Sequence, residues 1–321
     1  MKKFTIIVLA LITALILTEF FVAEIINYPT FGVEKKVKIS GKQSYQNLFK
    51  PYSEYWNVEG GNKVFKRNNL GIPGTDVLLS EDLKNIMVLG SSFIEAYQIE
   101  PDKIATSVFQ KRIQKESSKY NVVNLGASGH DVYDSWIRLK YFEQQIKPDY
   151  IILVVQSTYE KWLSRQKKPL NFSPEYLGKE KINKLNKYNL LIRNKSHFVS
   201  LLAQSLKQIK GKLILQDKAQ IEDQTVENVL TEMKITNEFI ETILEFKKEY
   251  KDKFALISII NDEEVNIKLE DICKENEIVF NMKSLIKQEF MLHGAGHLNA
   301  KGNKMLGEFL YESFIENYQE K

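Results

Sequence analysis

The stretch NIMVLGSSFIEA at residues 85–96 decides how this chain folds. Its apolar run Ile86–Leu89 stops at Gly90, which is the pattern of a short strand buried in a parallel sheet. Ser91 and Ser92 follow at once, before residues that can open a helix. In an open α/β sheet, ligands bind beyond the carboxyl ends of the strands. Two interpretations stay open: a serine that caps the helix, or a catalytic hydroxyl at the rim of a cleft.

Strand-like and helical patterns alternate from this stretch to the C-terminus. The further strand-like runs are Val122–Leu125, Tyr150–Val155, Phe254–Ile260 and Ile278–Phe280. The helical patterns are Ile104–Lys115, a segment that Asp131 can cap, Val226–Tyr250, Val265–Glu275 and Ala300–Tyr318. Alternation of this kind gives a parallel sheet covered by helices on both faces. The sequence therefore predicts an α/β fold, a three-layer α/β/α sandwich around a mainly parallel five-stranded sheet.

A polar segment interrupts this alternation after the third strand. Residues 160–224 are rich in lysine, asparagine and glutamine and carry apolar helical faces, which predicts a helical insertion. A lid over the cleft and a solvated helical decoration both fit that pattern. We expect three parts: an anchor or signal segment at 1–26, a juxtamembrane connector at 27–65, and the α/β domain at 66–321.

The N-terminus carries one long apolar segment. Lys2 and Lys3 precede the run Phe4–Thr18, and apolar residues continue to Ile26. Counted to Ile26, the segment can span a hydrocarbon core of about 30 Å; counted to Glu19, it fits a signal-peptide core. No small-x-small cleavage site is evident, so we predict an uncleaved signal-anchor, with a cleaved signal as the alternative. The lysines keep the N-terminus inside, so the domain faces the extracytoplasmic side.

Composition narrows the classes of function. The net charge of +4 comes from scattered lysines, which argues against a nucleic-acid-binding protein. Cys273 is the single cysteine, so an internal disulfide framework is excluded and a buried structural thiol is expected. His293 and His297 have a metal-ligand spacing, but the glycines between them disfavour the helix that a zinc site would need. We therefore expect neither a metal nor a cofactor.

Four segments carry a resemblance to a known family. They are Gly90–Ala96, Asn124–Gly129, Pro148–Tyr150 and Gly296–Asn303. In this order they resemble the four sequence blocks of the SGNH (GDSL-like) hydrolase superfamily, in the manner of a membrane-anchored bacterial member. The resemblance covers roughly Lys66–Glu316 and implies the α/β/α fold of esterases and acyltransferases.

The resemblance also implies site residues. Ser92 is implied as the nucleophile and His297 as its general base, because a serine hydroxyl attacks poorly until a base takes its proton. The amides of Ser92 and Gly129 are implied as oxyanion donors. Thr158 stands where the family has an asparagine, and its shorter hydroxyl is a third candidate donor.

Several positions depart from the family pattern. Ser91 replaces the aspartate before the nucleophile, and Gly294 and Ala295 stand where an aspartate normally orients the base. Loss of such an aspartate costs about 10⁴ in rate in serine proteases. Two functions therefore stay open. One is a serine esterase or O-acyltransferase acting on acyl groups of a cell-envelope polysaccharide; the other is a degenerate, non-catalytic protein that binds a glycan or a partner in an envelope assembly complex.

Overall fold

The structure is a computed structural model, and it describes the chain in several separate ranges. The described residues are 2–26, 33–39, 45–57, 63–156, 177–178, 192, 195–203, 205–206, 235–285, 287–292 and 297–318. The strands are β1 (Val33–Ile39), β2 (Tyr45–Phe49), β3 (Glu54–Asn57), β4 (Lys63–Lys66), β5 (Lys84–Leu89), β6 (Tyr120–Asn124), β7 (Tyr150–Val155), β8 (Leu177–Gly178), β9 (Phe254–Ser258) and β10 (Val279–Met282). The labelled helices are α1 (Lys2–Phe20), α2 (Ser92–Glu95), α3 (Ala105–Glu116), α4 (Val132–Phe142), α5 (Asn237–Tyr250), α6 (Glu263–Glu275) and α7 (Ala300–Tyr318).

A five-stranded parallel sheet forms the centre, in the order β10-β9-β7-β5-β6. Every neighbouring pair in it is parallel. The chain first builds outward from β5 to β6 and then crosses to the other side of β5 to form β7. This reversal is a topological switch point, where open α/β sheets bind their ligands. The predicted α/β fold with a mainly parallel five-stranded sheet is confirmed.

Alternate side chains of each strand supply the two faces of the sheet. Met87 and Leu89 belong to one buried cluster, with α4, α5 and α6. Ile86 and Val88 belong to the other cluster, with α3 and α7. Burial on both faces explains why β5 reads as a continuous apolar run rather than as an alternating one. Helices thus cover both faces, which gives the three predicted layers.

Polar side chains cap the starts of α4 and α5. The Asp131 side chain accepts a hydrogen bond from the Asp134 amide at 2.7 Å, as expected for the cap of α4. Thr236 caps α5 in the same way, since its hydroxyl accepts from the Phe239 amide at 3.2 Å. The helix predicted from Val226 therefore begins at Asn237, and residues 226–234 of that prediction lie outside the described residues.

The connector and the insertion meet in a second, small sheet. In it β1 pairs with β2 and with β8, both antiparallel. Since β8 lies inside the predicted insertion, this sheet joins two segments that are far apart in sequence. Residues 197–203 and 205–206 of the insertion are helical and are called the insertion helix below. Most of the rest of the predicted 160–224 insertion lies outside the described residues.

The N-terminal segment is helical, as its apolar pattern predicts. Helix α1 continues into one π-helical turn at Phe21–Ile25. The stretch Lys3–Ile25 comprises 23 residues and is long and apolar enough to cross a membrane. At 1.5 Å per residue it measures about 34 Å, slightly more than a hydrocarbon core. Length and composition of this kind are shared by membrane anchors and signal sequences.

Candidate active site

The tight turn after β5 sets the position of both serines. Ser91 takes the N-cap position of α2, and its side chain makes no capping hydrogen bond. Ser92 is the first helical residue, so capping accounts for neither hydroxyl. Within the described residues, the buried Ser91 Oγ has no hydrogen-bond partner. The half-buried Ser92 stands at the carboxyl end of β5.

Gly90 lets the chain make that turn. Its φ is +156°, and a Cβ there would lie 2.7 Å from Ile94 Cγ1 and 3.0 Å from the Val154 carbonyl oxygen. Only glycine fits between α2 and the neighbouring strand β7 in this conformation. Because β5 and β7 flank the switch point of the sheet, the turn delivers Ser92 to the crevice where ligands of such sheets bind.

The loop after β6 packs directly against α2. Asn124 Nδ2 donates to a carbonyl of α2 at 2.7 Å, and the Ala127 amide donates to the Gly90 carbonyl at 3.1 Å. A Cβ on Gly126 would collide with the Glu95 backbone nitrogen. The second sequence block therefore holds its loop against the helix that carries Ser92.

Glu95 fixes the tip of the same loop. Its carboxylate accepts hydrogen bonds from the Ser128 amide, at 2.7 Å, and from the Ser128 hydroxyl. The next residue is Gly129, whose φ of +77° suits glycine and whose Cβ position has no heavy atom within 4 Å. Hydrogen bonds therefore fix the loop up to Ser128, whereas there is free space around the Cβ position of Gly129.

A buried arginine lies behind this contact. Arg138 on α4 is 4% exposed, and its burial lowers its pKa to about 10, opposed by the charge of Glu95. The sequence patterns predict neither the contact of Glu95 with Ser128 nor a role for Arg138. One feature of the sequence could have pointed to Arg138: it is a cation within the apolar pattern of α4. The apolar residues beside it are Trp136, Ile137, Leu139 and Phe142.

We expect Glu95→Ala to lower the free energy of unfolding by about 2 kcal/mol, because two hydrogen bonds to a charged group are lost. Glu95→Gln keeps an acceptor oxygen for Ser128 and should lose less. Thermal unfolding of both variants measures the difference. Equal destabilisation by alanine and glutamine would show that the hydrogen bonds to Ser128 are not what Glu95 contributes.

The loop of His297 lies next to α2. The Leu292 amide donates to the His297 carbonyl at 2.7 Å, and an antiparallel bridge joins Met291 to Leu298. The centroid of the half-buried His297 ring lies 6.5 Å from that of Phe93 and 6.4 Å from that of Tyr97. The base candidate therefore borders the short helix that Ser92 begins.

Asn299 joins this loop to α7. Its Nδ2 donates to the carbonyls of Glu289 (2.9 Å) and Met291 (3.1 Å), and its Oδ1 accepts from the Gly302 amide at 2.9 Å. A cavity of about 460 Å³ borders the loop; its lining residues are Gln288, Glu289, Met291, Leu292 and Asn299.

The third sequence block has a different position. Asp149 Oδ2 accepts from the Asn85 amide at 3.0 Å, and the Asp149 amide donates to the Asn85 carbonyl at 2.9 Å. This reciprocal pair joins the starts of β7 and β5, at the edge of the sheet opposite Ser92. Asp149 therefore holds the two switch-point strands in register rather than lining the cleft.

The structure brings the loops of three of the predicted residues to one edge of the sheet: Ser92, Gly129 and His297. The activation of the Ser92 hydroxyl by His297 stays a prediction. Thr158, Gly294 and Ala295 lie outside the described residues. Their predicted roles are not tested by the geometry.

Two other predictions concern reactive groups. Cys273 is buried on α6, and burial raises the pKa of its thiol to about 12, which fits the expected structural role. Among the described residues, no group of three or more histidine, cysteine or acidic side chains is arranged to hold a metal ion.

No protein-family model and no curated protein matches the sequence. Among solved structures, the chain is similar to the psychrotrophic esterase EstA from Pseudoalteromonas sp., with 13% identity and a TM-score of 0.41 over 73% of this chain and 97% of that one. It is similar to a member of the lipolytic protein G-D-S-L family from Veillonella parvula, with 13% identity and a TM-score of 0.39 over 74% and 100%. It is also similar to the lipase/acylhydrolase from Enterococcus faecalis, with 12% identity and a TM-score of 0.40 over 73% and 96%. By their names, these three solved proteins are esterases or lipolytic proteins.

Proposed function

We propose that this protein is a membrane-anchored serine esterase or O-acyltransferase that acts on acyl groups of a cell-envelope polysaccharide. One observation supports it most: a serine stands at the switch-point crevice, on a turn that admits only glycine at position 90, and the loop of His297 borders the same short helix. The open Gly129 loop lies at the same edge. The polysaccharide substrate follows from the family resemblance and from the outward orientation predicted for the domain.

In the proposed reaction, His297 takes the proton of the Ser92 hydroxyl as Oγ attacks the carbonyl carbon of the ester. The amides of Ser92 and Gly129 donate to the oxyanion, and one such donor contributes about 2.7–4 kcal/mol in enzymes where it has been removed. The imidazolium of His297 then returns the proton to the leaving alcohol, and the acyl group stays on Ser92. Attack by water completes hydrolysis, and attack by a sugar hydroxyl completes transfer.

The test is covalent labelling of the full-length protein in detergent micelles with a fluorophosphonate. We expect one adduct, located on Ser92 by peptide mass spectrometry. Hydrolysis of a small aryl ester with and without a polyol acceptor then separates the two activities, because a transferase passes acyl groups to the acceptor rather than to water. A folded protein that gives neither adduct nor turnover would support the non-catalytic glycan-binding function instead.

The membrane orientation has its own test. Protease added outside intact spheroplasts should digest the domain, because Lys2 and Lys3 hold the N-terminus inside. The measurement is an immunoblot against a C-terminal tag, with a cytoplasmic protein as the control. Full protection of the domain would contradict the orientation, and a shortened soluble form in the medium would show cleavage.

A further inference from the structure

The apolar N-terminal helix contains an acid that binds another part of the chain. Three groups donate to the Glu19 carboxylate: Ser196 Oγ at 2.7 Å, the His197 amide at 2.6 Å and the Phe198 amide at 3.1 Å. Ser196 Oγ in turn accepts from the Val199 amide at 3.0 Å. Glu19 thus satisfies amides at the start of the insertion helix that have no partner within that helix. The contact joins the anchor segment to the insertion.

The outer end of the N-terminal segment is covered on one side only. Thr18, Glu19, Val22 and Ala23 are partly or fully buried, and Val22 is 3% exposed. Positions spaced by four residues in this way share one face of a helix. Phe20, between them in sequence, is exposed. One side of this segment is therefore covered by protein, and the insertion contacts that side through Glu19.

Glu19 places the insertion helix at a definite depth. It precedes Ile25, the last residue of the apolar span, by a distance of about 9 Å along the axis at 1.5 Å per residue. Helices that lie in a membrane interface bury their apolar faces about 5–10 Å into the boundary between headgroups and acyl chains. The start of the insertion helix therefore falls at the depth of that boundary when the N-terminal segment spans the bilayer.

The insertion helix exposes apolar side chains within about three turns of this start. Leu202 and Leu206, one helical turn apart, are 47% and 57% exposed, whereas Ser200 on another face is buried. Because the helix begins within the outer boundary of the bilayer, a face that the protein leaves uncovered there meets lipid rather than water. We propose that the insertion helix lies in the outer interface of the membrane, with Leu202 and Leu206 in contact with lipid. This inference rests on the membrane anchoring included in the proposed function.

The experiment uses the full-length protein in phosphatidylcholine vesicles, with an environment-sensitive fluorophore on Leu202→Cys or Leu206→Cys. Leu11→Cys, exposed on α1, reports whether the N-terminal helix spans the bilayer, and Ile267→Cys, exposed on α6, reports on an aqueous surface. The native Cys273 is buried and its thiol pKa is raised to about 12, so the labelled parent chain measures a small background. We expect blue-shifted emission at 202 and 206 that lipids with a quencher near the headgroup suppress. Lipids with a quencher deep in the acyl chains should suppress emission at 11.

Three results would overturn the inference in distinguishable ways. If the probes at 202 and 206 emit like the one at 267 while the probe at 11 is quenched, the protein is anchored but its insertion helix is not in the interface. If the probe at 11 also reports water, the anchoring itself fails. Blue-shifted emission at 202 that no lipid quencher affects would assign this face to a protein partner and would also overturn the proposal.

A matched pair of acidic residues tests the role of Glu19. Glu19→Ala removes the acceptor for the three donors at residues 196–198, whereas Glu24→Ala removes an exposed acid from the next turn of the same segment. We expect Glu19→Ala to lose most of the lipid quenching at Leu202→Cys and Glu24→Ala to keep it. Equal quenching in both variants would show that Glu19 does not hold the insertion helix at the membrane.

Discussion

Replacing Ser92 with alanine is expected to abolish fluorophosphonate labelling and to lower kcat/KM for ester hydrolysis by at least about 10³-fold. The expectation follows from the position of Ser92 at the switch-point crevice, where its hydroxyl is the group that would form the acyl intermediate. Initial rates on an aryl ester, together with gel fluorescence of the labelled protein, measure both effects. His297→Ala should lose a similar factor, and the double variant should be little worse than either single one, since the two groups act as a unit.

Ser91→Ala is the matched control, because it removes the neighbouring hydroxyl from the same turn. Ser91 occupies the N-cap position but its side chain makes no capping hydrogen bond. Its buried Oγ has no partner within the described residues, so its loss removes no hydrogen bond there. We expect labelling, turnover and stability near those of the parent. Labelling that survives in Ser92→Ala but vanishes in Ser91→Ala would show that Ser91, and not Ser92, is the nucleophile.

The second large effect is expected at Gly126. Alanine there should lower the free energy of unfolding by about 2–3 kcal/mol, because its Cβ would lie 2.7 Å from the Ile94 carbonyl carbon and would collide with the Glu95 backbone nitrogen. These are backbone atoms of α2 and cannot rotate away. The loop must then move off the helix that carries Ser92, so turnover should fall together with stability. Chemical denaturation and ester hydrolysis measure the two losses.

Gly129→Ala provides the comparison in the same loop. No heavy atom lies within 4 Å of its Cβ position, so only the φ of +77° opposes the substitution. That conformation costs a non-glycine residue about 1–2 kcal/mol. Gly126→Ala should therefore be the more destabilising of the two. If Gly129→Ala destabilises more, close packing of the loop on α2 is not what requires glycine at Gly126.

The sequence predicted best those elements whose pattern is local. Strand β7 (Tyr150–Val155) and helix α7 (Ala300–Tyr318) have the predicted bounds, because an uninterrupted apolar run and a helical stripe each depend on neighbouring residues. The parallel arrangement could also be anticipated in outline from the alternation of strands and helices. The pairing of β8 with β1 could not, because two short segments far apart in sequence carry no mutual signal.

Two side-chain contacts, those of Glu95 and Glu19, could not be predicted from the sequence either. The Glu95 carboxylate binds Ser128, in the loop after the next strand. The Glu19 carboxylate accepts hydrogen bonds from residues 196–198, and nothing in the sequence predicts this contact. Both contacts depend on how distant segments pack, which a periodic pattern does not encode. The roles of Thr158, Gly294 and Ala295 stay predictions.

The small sheet that joins β1 to β8 bears on the order in which the chain assembles. Strands β1 and β2 are neighbours in sequence and can pair as soon as they emerge, but the β1 edge stays open until Leu177–Gly178 has been made. Closing such a distant contact carries a loop entropy cost that local pairs avoid. An open strand edge is also a template for pairing with another chain. During synthesis, β1 is therefore exposed to wrong partners until β7 and the start of the insertion have followed it.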